Sequence, residues 1–278
     1  MTESIGRIAF ADLFQLEPHG PDTFVGVVAR YPWGGRLFGG QVVAQALRAA
    51  IETVPADRPA HSLHSYFIRP GSPNEPIRFE VERLRDGRSF CTRQVVARQS
   101  AGAILNVSVS FQTVEDEEAD VQFARLPDDL PGPDDPRADD ESWGRLLERR
   151  QLDLGPNRVS SWIRLDTDLG DDPVLNLCGL AFMSDAAPFR AGRTPHPDHT
   201  GRNDRDLFVG ASLDHSMWFH RPVRADRWHW FDTRSHGLHG GRGTVTGEVL
   251  SADGVHVATI AQEILLRRKK DPDPGSRE

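Results

Sequence analysis

Cysteine is nearly missing from this chain: only Cys91 and Cys178 occur among its 278 residues. Two cysteines cannot build a disulfide framework or a multi-cysteine zinc site, and a reducing, cytoplasmic compartment is the expectation. Long apolar runs are missing too. Nothing approaches the roughly 18 unbroken apolar residues of a membrane span, and the first eleven residues, interrupted by Glu3 and Arg7, lack the pattern of a signal peptide. Positive charge is in deficit, with 33 Lys and Arg against 41 Asp and Glu and a formal net charge of −8. That balance argues against a nucleic-acid partner, which calls for a basic surplus or face. The one basic run, Arg267-Arg268-Lys269-Lys270, is followed at once by Asp271. No Gly-x-Ser-x-Gly elbow occurs, which removes the common serine-hydrolase arrangement.

What remains is an ordinary globular composition, 38% hydrophobic and 27% charged, in a chain long enough for two fused modules. Phe38-Gly39-Gly40-Gln41 opens an Ala-rich run to Ile51 that is apolar on nearly all sides and reads as a buried helix over about 40–53. After Pro59 the period changes to two. Ile77, Phe79 and Val81 alternate with charged residues, and Leu105, Val107, Val109 and Phe111 alternate with polar ones, as half-buried antiparallel strands do. A second apolar helix is expected over about 171–184. The acidic, proline-rich stretch 115–142 reads as a linker and 187–206 as a mobile loop, neither with enough periodic apolar residues to bury.

The block from Ser62 to Arg69-Pro70 is echoed from Ser212 to Arg221-Pro222, and the interval from Pro70 to Gln112 nearly equals that from Pro222 to Gln262. One α+β unit has been duplicated. The expected organisation is an N-terminal unit over 1–114, the linker, a C-terminal unit over 143–270, and a disordered tail over 271–278. His64 and His215 stand in repeat-related places and read as core or pocket-wall groups. Spaced pairs such as His61 and His64 lie in a strand, where that spacing faces opposite sides, so no metal is expected.

Phe38-Gly39-Gly40-Gln41-Val42-Val43-Ala44-Gln45-Ala46-Leu47, His61-Ser62-Leu63-His64-Ser65-Tyr66-Phe67-Ile68-Arg69-Pro70-Gly71, Leu84-Arg85-Asp86-Gly87-Arg88-Ser89-Phe90 and Asp214-His215-Ser216-Met217-Trp218-Phe219-His220-Arg221-Pro222 resemble the bacterial acyl-CoA thioesterase II family. The resemblance spans about residues 24–268. It implies a double hotdog, two units each with an antiparallel sheet wrapped around a central helix, an acyl-CoA substrate, no cofactor and a homo-oligomer. It also implies an aspartate, a hydroxyl residue and a glutamine that activate water, which fall here on Asp185, Ser212 and Gln262. The type enzyme has threonine where this chain has Ser212, which keeps the donor and acceptor and loses a methyl.

Thioester hydrolysis needs an activated nucleophile and a stabilised oxyanion, and little help for a thiolate leaving group. Asp185 follows an apolar helix, so burial would raise its pKa toward the range useful to a base. Gln262 shares strand parity with Ala258, Ile260 and Ile264 and should point inward. Backbone amides at Gly40 and Gln41 are candidates for the oxyanion, although the glycines serve tight helix packing equally well. Arg69, Arg88, Arg93 and Arg221 are candidates for the phosphates of coenzyme A. Two rival functions stay open: a noncatalytic acyl-CoA-binding module, and a hydratase on the same fold using Asp214 and His215.

Overall fold

The computed structural model describes residues 3–4, 9–31, 33, 35–115, 119–144, 146–155, 157–200 and 207–269. The expected tail over 271–278 lies outside them.

Two short strands, β1 (Glu3–Ser4) and β4 (Ala29–Arg30), pair in parallel at the N-terminus. All the others form one antiparallel sheet of 14 strands. In the first half these are β2 (Glu17–Pro18), β3 (Thr23–Gly26), β5 (Ala60–Phe67), β6 (Ile77–Asp86), β7 (Phe90–Gln99) and β8 (Gly102–Gln112). The second half supplies β9 (Asp139–Asp140), β10 (Leu147–Asp153), β11 (Arg158–Leu165), β12 (Phe208–Ser212), β13 (Asp214–Phe219), β14 (His229–His239), β15 (Arg242–Ser251) and β16 (His256–Arg268). The path β2-β3-β6-β7-β8-β5-β13-β16-β15-β14-β11-β10-β9 is nearly a mirror image of itself. From the centre outward, β5-β8-β7-β6-β3 on one side matches β13-β16-β15-β14-β11 on the other. The halves meet where β5 pairs with β13, His64 opposite Ser216, so the duplication read from the sequence is a double hotdog with no break in the sheet.

Each half sends one helix through the concave side. Helix α1 (Gly39–Ile51) buries nearly its whole length, because apart from Gln41, Gln45 and Arg48 its residues are small or apolar. Its two amides, Gln41 and Gln45, are spent on the N-terminal segment. Gln41 Nε2 donates to Val27 O (3.0 Å), Gln45 Nε2 to Val27 O (2.8 Å) and Leu13 O (2.7 Å), and Tyr31 Oη to Gln41 Oε1 (2.7 Å). Helix α2 (Pro173–Ser184) starts where the Asp172 carboxylate accepts from the N–H groups of Val174 and Leu175, an N-cap with proline in the first turn. It ends at Asp185, three residues before Pro188.

The two helices pack tightly because α1 begins with two glycines. A Cβ on Gly40 would collide with the Phe182 carbonyl oxygen, and one on Gly39 would stand 2.6 Å from Asp185 Oδ2. Close packing is thus a real function of the Gly-Gly pair.

Three expectations need correction. Residues 187–206 do not begin as a loop: Pro188–Arg193 form helix α3, with Arg190, Ala191, Gly192 and Arg193 buried, because proline presets the first helical turn even in a polar sequence. The described part of 115–142 is seated on the protein. Ala124, Leu126, Leu130 and Ala138 pack with Trp162, Trp230 and Leu250, and Pro131 O accepts from Trp162 Nε1 (2.7 Å). Irregular chain needs no period to place an apolar residue over a tryptophan, so the absence of periodicity misled. His64 and His215 also do not share an environment, since His64 is exposed and bonded to Ser216 Oγ while His215 is fully buried. Counting back from the shared Arg-Pro pair, the counterpart of His215 is Leu63.

Glycine at position 40 should therefore be required for stability. Gly40→Ala is expected to cost about 1–3 kcal/mol by overpacking in chemical denaturation, whereas Gly132→Ala, whose Cβ meets nothing within 4 Å, should be neutral. Equal midpoints for the two variants would disprove the packing account.

Candidate active site

Asp185 is the C-cap of α2 and is only 8% exposed. Its carboxylate lies at the N-terminus of α1, near enough to the backbone N–H of Gly40 for that donor to lower its pKa, a placement that the helix dipole favours. Ser212 Oγ donates to Asp185 Oδ1 (3.2 Å), Gln262 Nε2 donates to Ser212 Oγ (2.7 Å), and the nearby Gln262 amide helps to hold down the carboxyl pKa. The three residues singled out in the sequence thus converge from α2, β12 and β16.

A bulge makes this convergence possible. Strand β12 pairs Ser212 with Ile264, while β13 pairs Ser216 with Ala261, a shift of one residue around Leu213. Side-chain parity changes at such a step. It lets Ser212 and His215, three positions apart, both face the concave side.

Burial raises the pKa of Asp185 from 3.8 to about 7, because desolvation of the charged form outweighs the donors from Ser212, Gly40 and Gln262 and the more distant Arg36. The carboxylate therefore sits near the midpoint of its titration at neutral pH, as a general base should.

Behind Gln262 the polar chain continues. His215 Nδ1 lies 2.7 Å from Gln262 Oε1, and His215 Nε2 lies 2.7 Å from Ser184 Oγ. Burial lowers the His215 pKa to about 4, so the ring is neutral. Sequence reasoning treated His215 as a wall group. The signal that could have found it was its inward parity, one strand over from Gln262. Asp214, by contrast, accepts from the Glu263 N–H (2.6 Å) and takes no part in the chain.

The other candidates divide. The Gly40 N–H faces the site, but the Gln41 N–H is engaged with Phe38 O (3.2 Å) and the Gln41 side chain is turned toward Val27 and Tyr31. Arg93 is unsuited to binding phosphate, being fully buried and committed to Thr53, Arg85 O and Asp86. Arg88 is exposed on the turn between β6 and β7, outside the cavity lining, and Arg221 pairs with Asp120. Arg69 does line the cavity.

That cavity has a volume of about 540 Å³ and opens onto Asp185 and Ser212 at the seam between the halves. Trp33, Phe38, Phe67, Ile104 and Trp143 give its lining an apolar part, and Arg36, Arg69, Arg149, Arg190 and Arg193 a cationic part. Trp143 belongs to the second half yet packs edge-on against Phe38, with ring centroids 4.9 Å apart. Arg149 Nη1 donates to Ala186 O (2.7 Å), pinning the residue after the carboxylate. Among the described residues no group of three His, Cys, Asp or Glu could hold a metal ion, and no helix is long and apolar enough to cross a membrane.

Comparison with known proteins places this geometry. The acyl-CoA thioesterase N-terminal domain matches residues 29–112, and the acyl-CoA thioesterase C-terminal domain matches residues 127–266. Acyl-coenzyme A thioesterase 8 of Mus musculus is 33% identical over 97% of this chain and 92% of its own length. Acyl-CoA thioesterase 2 of Haemophilus influenzae is 35% identical over 84% of this chain and 88% of its own. The crystal structure of acyl-CoA thioesterase II TesB2 from Mycobacterium marinum superposes with a TM-score of 0.80 at 34% identity, covering 96% of this chain and all of that one. Two domain matches in the expected order, together with relatives a third identical over most of its length, show that this chain belongs to the double-hotdog acyl-CoA thioesterase II family.

Proposed function

We propose that the protein hydrolyses acyl-CoA thioesters with a water molecule activated by Asp185. The observation that carries this reading is a carboxylate with its pKa raised to about 7, held by Ser212 and lining a cavity that has both apolar and cationic side chains. The apolar part suits an acyl chain. The cationic part suits the phosphates of coenzyme A, with Arg36 and Arg69 the candidates nearer solvent.

In the reaction, Asp185 takes a proton from water as the water oxygen bonds to the thioester carbonyl carbon. Ser212 and Gln262 orient the carboxylate and the water. The resulting oxyanion is assigned to the N-terminus of α1, where the Gly40 N–H is released as Asp185 takes the proton and loses its charge, whereas the Gln41 N–H keeps its partner Phe38 O. Collapse of the tetrahedral species breaks the C–S bond, and the proton held by Asp185 passes to the departing thiolate. A noncatalytic binding module would not need a carboxylate buried at this energetic cost, and the hydratase reading loses its Asp–His pair because Asp214 and His215 face different neighbours.

The direct test is thiol release from a panel of acyl-CoAs of increasing chain length, which also ranks the acyl groups the cavity takes. Asp185→Asn should lower kcat about a hundredfold or more while acyl-CoA binding persists. Ser212→Thr should be mild, and Ser212→Ala and Gln262→Ala should be impaired. For the unmodified enzyme kcat/KM should rise with pH through about 7, where the base ionises. Near-normal turnover by folded Asp185→Asn would refute the mechanism.

The same variant carries an opposite prediction for stability. Below about pH 4 the carboxyl is protonated whether the chain is folded or not, so its burial costs little. Between about pH 4 and 7 the unfolded chain ionises while the folded chain keeps the proton, and stability falls; above about 7 the loss is complete. Asp185→Asn escapes this penalty. Its melting temperature should exceed that of the unmodified protein at pH 8 by several degrees, corresponding to a few kcal/mol at about 1.4 kcal/mol per tenfold change in proton affinity, and by much less at pH 4. A gap independent of pH would contradict the raised pKa.

A further inference from the structure

We infer that His215 is a positioning residue: backed by Ser184, it fixes which end of the Gln262 amide faces Ser212 and Asp185. The inference rests on the hydrolytic reading above and adds a residue to it.

Five buried or half-buried side chains stand in one file. Ser184 Oγ is 2.7 Å from His215 Nε2, His215 Nδ1 is 2.7 Å from Gln262 Oε1, Gln262 Nε2 is 2.7 Å from Ser212 Oγ, and Ser212 Oγ is 3.2 Å from Asp185 Oδ1. Ser184 and His215 are fully buried and Gln262 is 1% exposed, so each polar atom has to be satisfied by its neighbour in the file.

A primary amide is two-faced, and its two orientations have different consequences here. With its NH2 toward Ser212, Gln262 donates to the hydroxyl and leaves the Ser212 proton for the carboxylate. With its oxygen toward Ser212, the hydroxyl is drawn to the amide oxygen, and the carboxylate loses the donors from both Ser212 and Gln262. Nothing in the shape of the amide chooses between the two.

The imidazole locks the choice. In the structure Gln262 Oε1 faces Nδ1 at 2.7 Å and can only accept, so Nδ1 carries the ring hydrogen. A buried neutral ring has just one, which leaves Nε2 bare and in need of a donor. Ser184 Oγ, 2.7 Å away, can supply it by turning toward Nε2 the hydroxyl proton that also has Ala181 O within reach at 2.8 Å. All donors then point from α2 through His215 and Gln262 to Asp185, the polarity that an ionised base requires. If the hydrogen moved to Nε2, the amide would be driven to turn and the file would reverse.

The position is specific to the second half. In the first half the corresponding pair is Leu63 opposite Val109, both fully buried and apolar, so the fold itself does not demand a histidine here.

Two measurements test the inference. Long-range 1H–15N correlation spectra of the full-length protein at pH 8, with the His215 signals assigned by their loss in His215→Asn, should show a protonated Nδ1 and a bare Nε2. A ring protonated at Nε2 would overturn the proposal. Kinetically, His215→Asn keeps an N–H donor near the Nδ1 position and should retain kcat within a few-fold. His215→Leu should lose about tenfold or more in kcat with KM unchanged, as expected when an interaction made in the transition state is lost. A purely structural histidine would lower stability in both variants without separating their kcat values, and that result, or a normal kcat in His215→Leu, would also overturn it. Asp185→Asn distinguishes the two levels of argument. If it is inactive while His215→Leu turns over normally, only the positioning role fails; if it is active, the hydrolytic reading fails first.

Discussion

The structure depends on one close approach: the N-terminus of α1 against the C-terminus of α2, with the Asp185 carboxylate between them. Two glycines permit it, since a Cβ at either position would strike Asp185 or the Phe182 carbonyl. The helix that delivers the carboxylate is apolar enough to be buried, and burial lifts the acid toward neutrality. The helix that receives it offers the Gly40 amide and a favourable dipole, which keeps the charged form accessible. Moving the helices apart would let water in and return Asp185 to an ordinary carboxylate.

Duplication provided the frame, and divergence set the two halves apart. Both halves contribute walls to the cavity, yet Asp185, Ser212, His215 and Gln262 all come from the second half. At the end of α1, the place that Asp185 occupies in α2 is taken by Glu52, paired with Arg48 and half exposed. His215 and Gln262 answer to Leu63 and Val109. The first half instead contributes the glycines and the aromatic wall at Phe38 and Phe67. This division of labour requires the halves to be fused in register, and the β5–β13 pairing maintains that register along the sheet centre.

Much of this could be read in the chain. Period-two alternation at 77–81 and 105–111, the all-round apolar helices and the repeated Arg-Pro blocks report burial directly, because each residue's environment follows from its neighbours along the chain. Asp185, Ser212 and Gln262 were legible through the resemblance of whole motifs, and the inward parity of Gln262 through its own strand. Arg93 was one of four arginines open as phosphate candidates, yet along β7 it alternates on the buried side with Cys91, Val95 and Ala97.

Tertiary structure alone decided the rest. The bulge at Leu213 aims Ser212 at Asp185, and a single inserted residue has no signature in composition. The coupling of His215 to Gln262 joins residues 47 apart, brought side by side only when β13 pairs with β16. The raised pKa of Asp185 is a property of the space around it, which the packing of two helices and a sheet creates. The sequence determined which residues are buried and that the unit occurs twice, since hydrophobic pattern and repetition are local. The depth of burial, the hydrogen-bond partners and the convergence of Asp185, Ser212 and Gln262 at the seam come from contacts between distant segments, which no local pattern encodes.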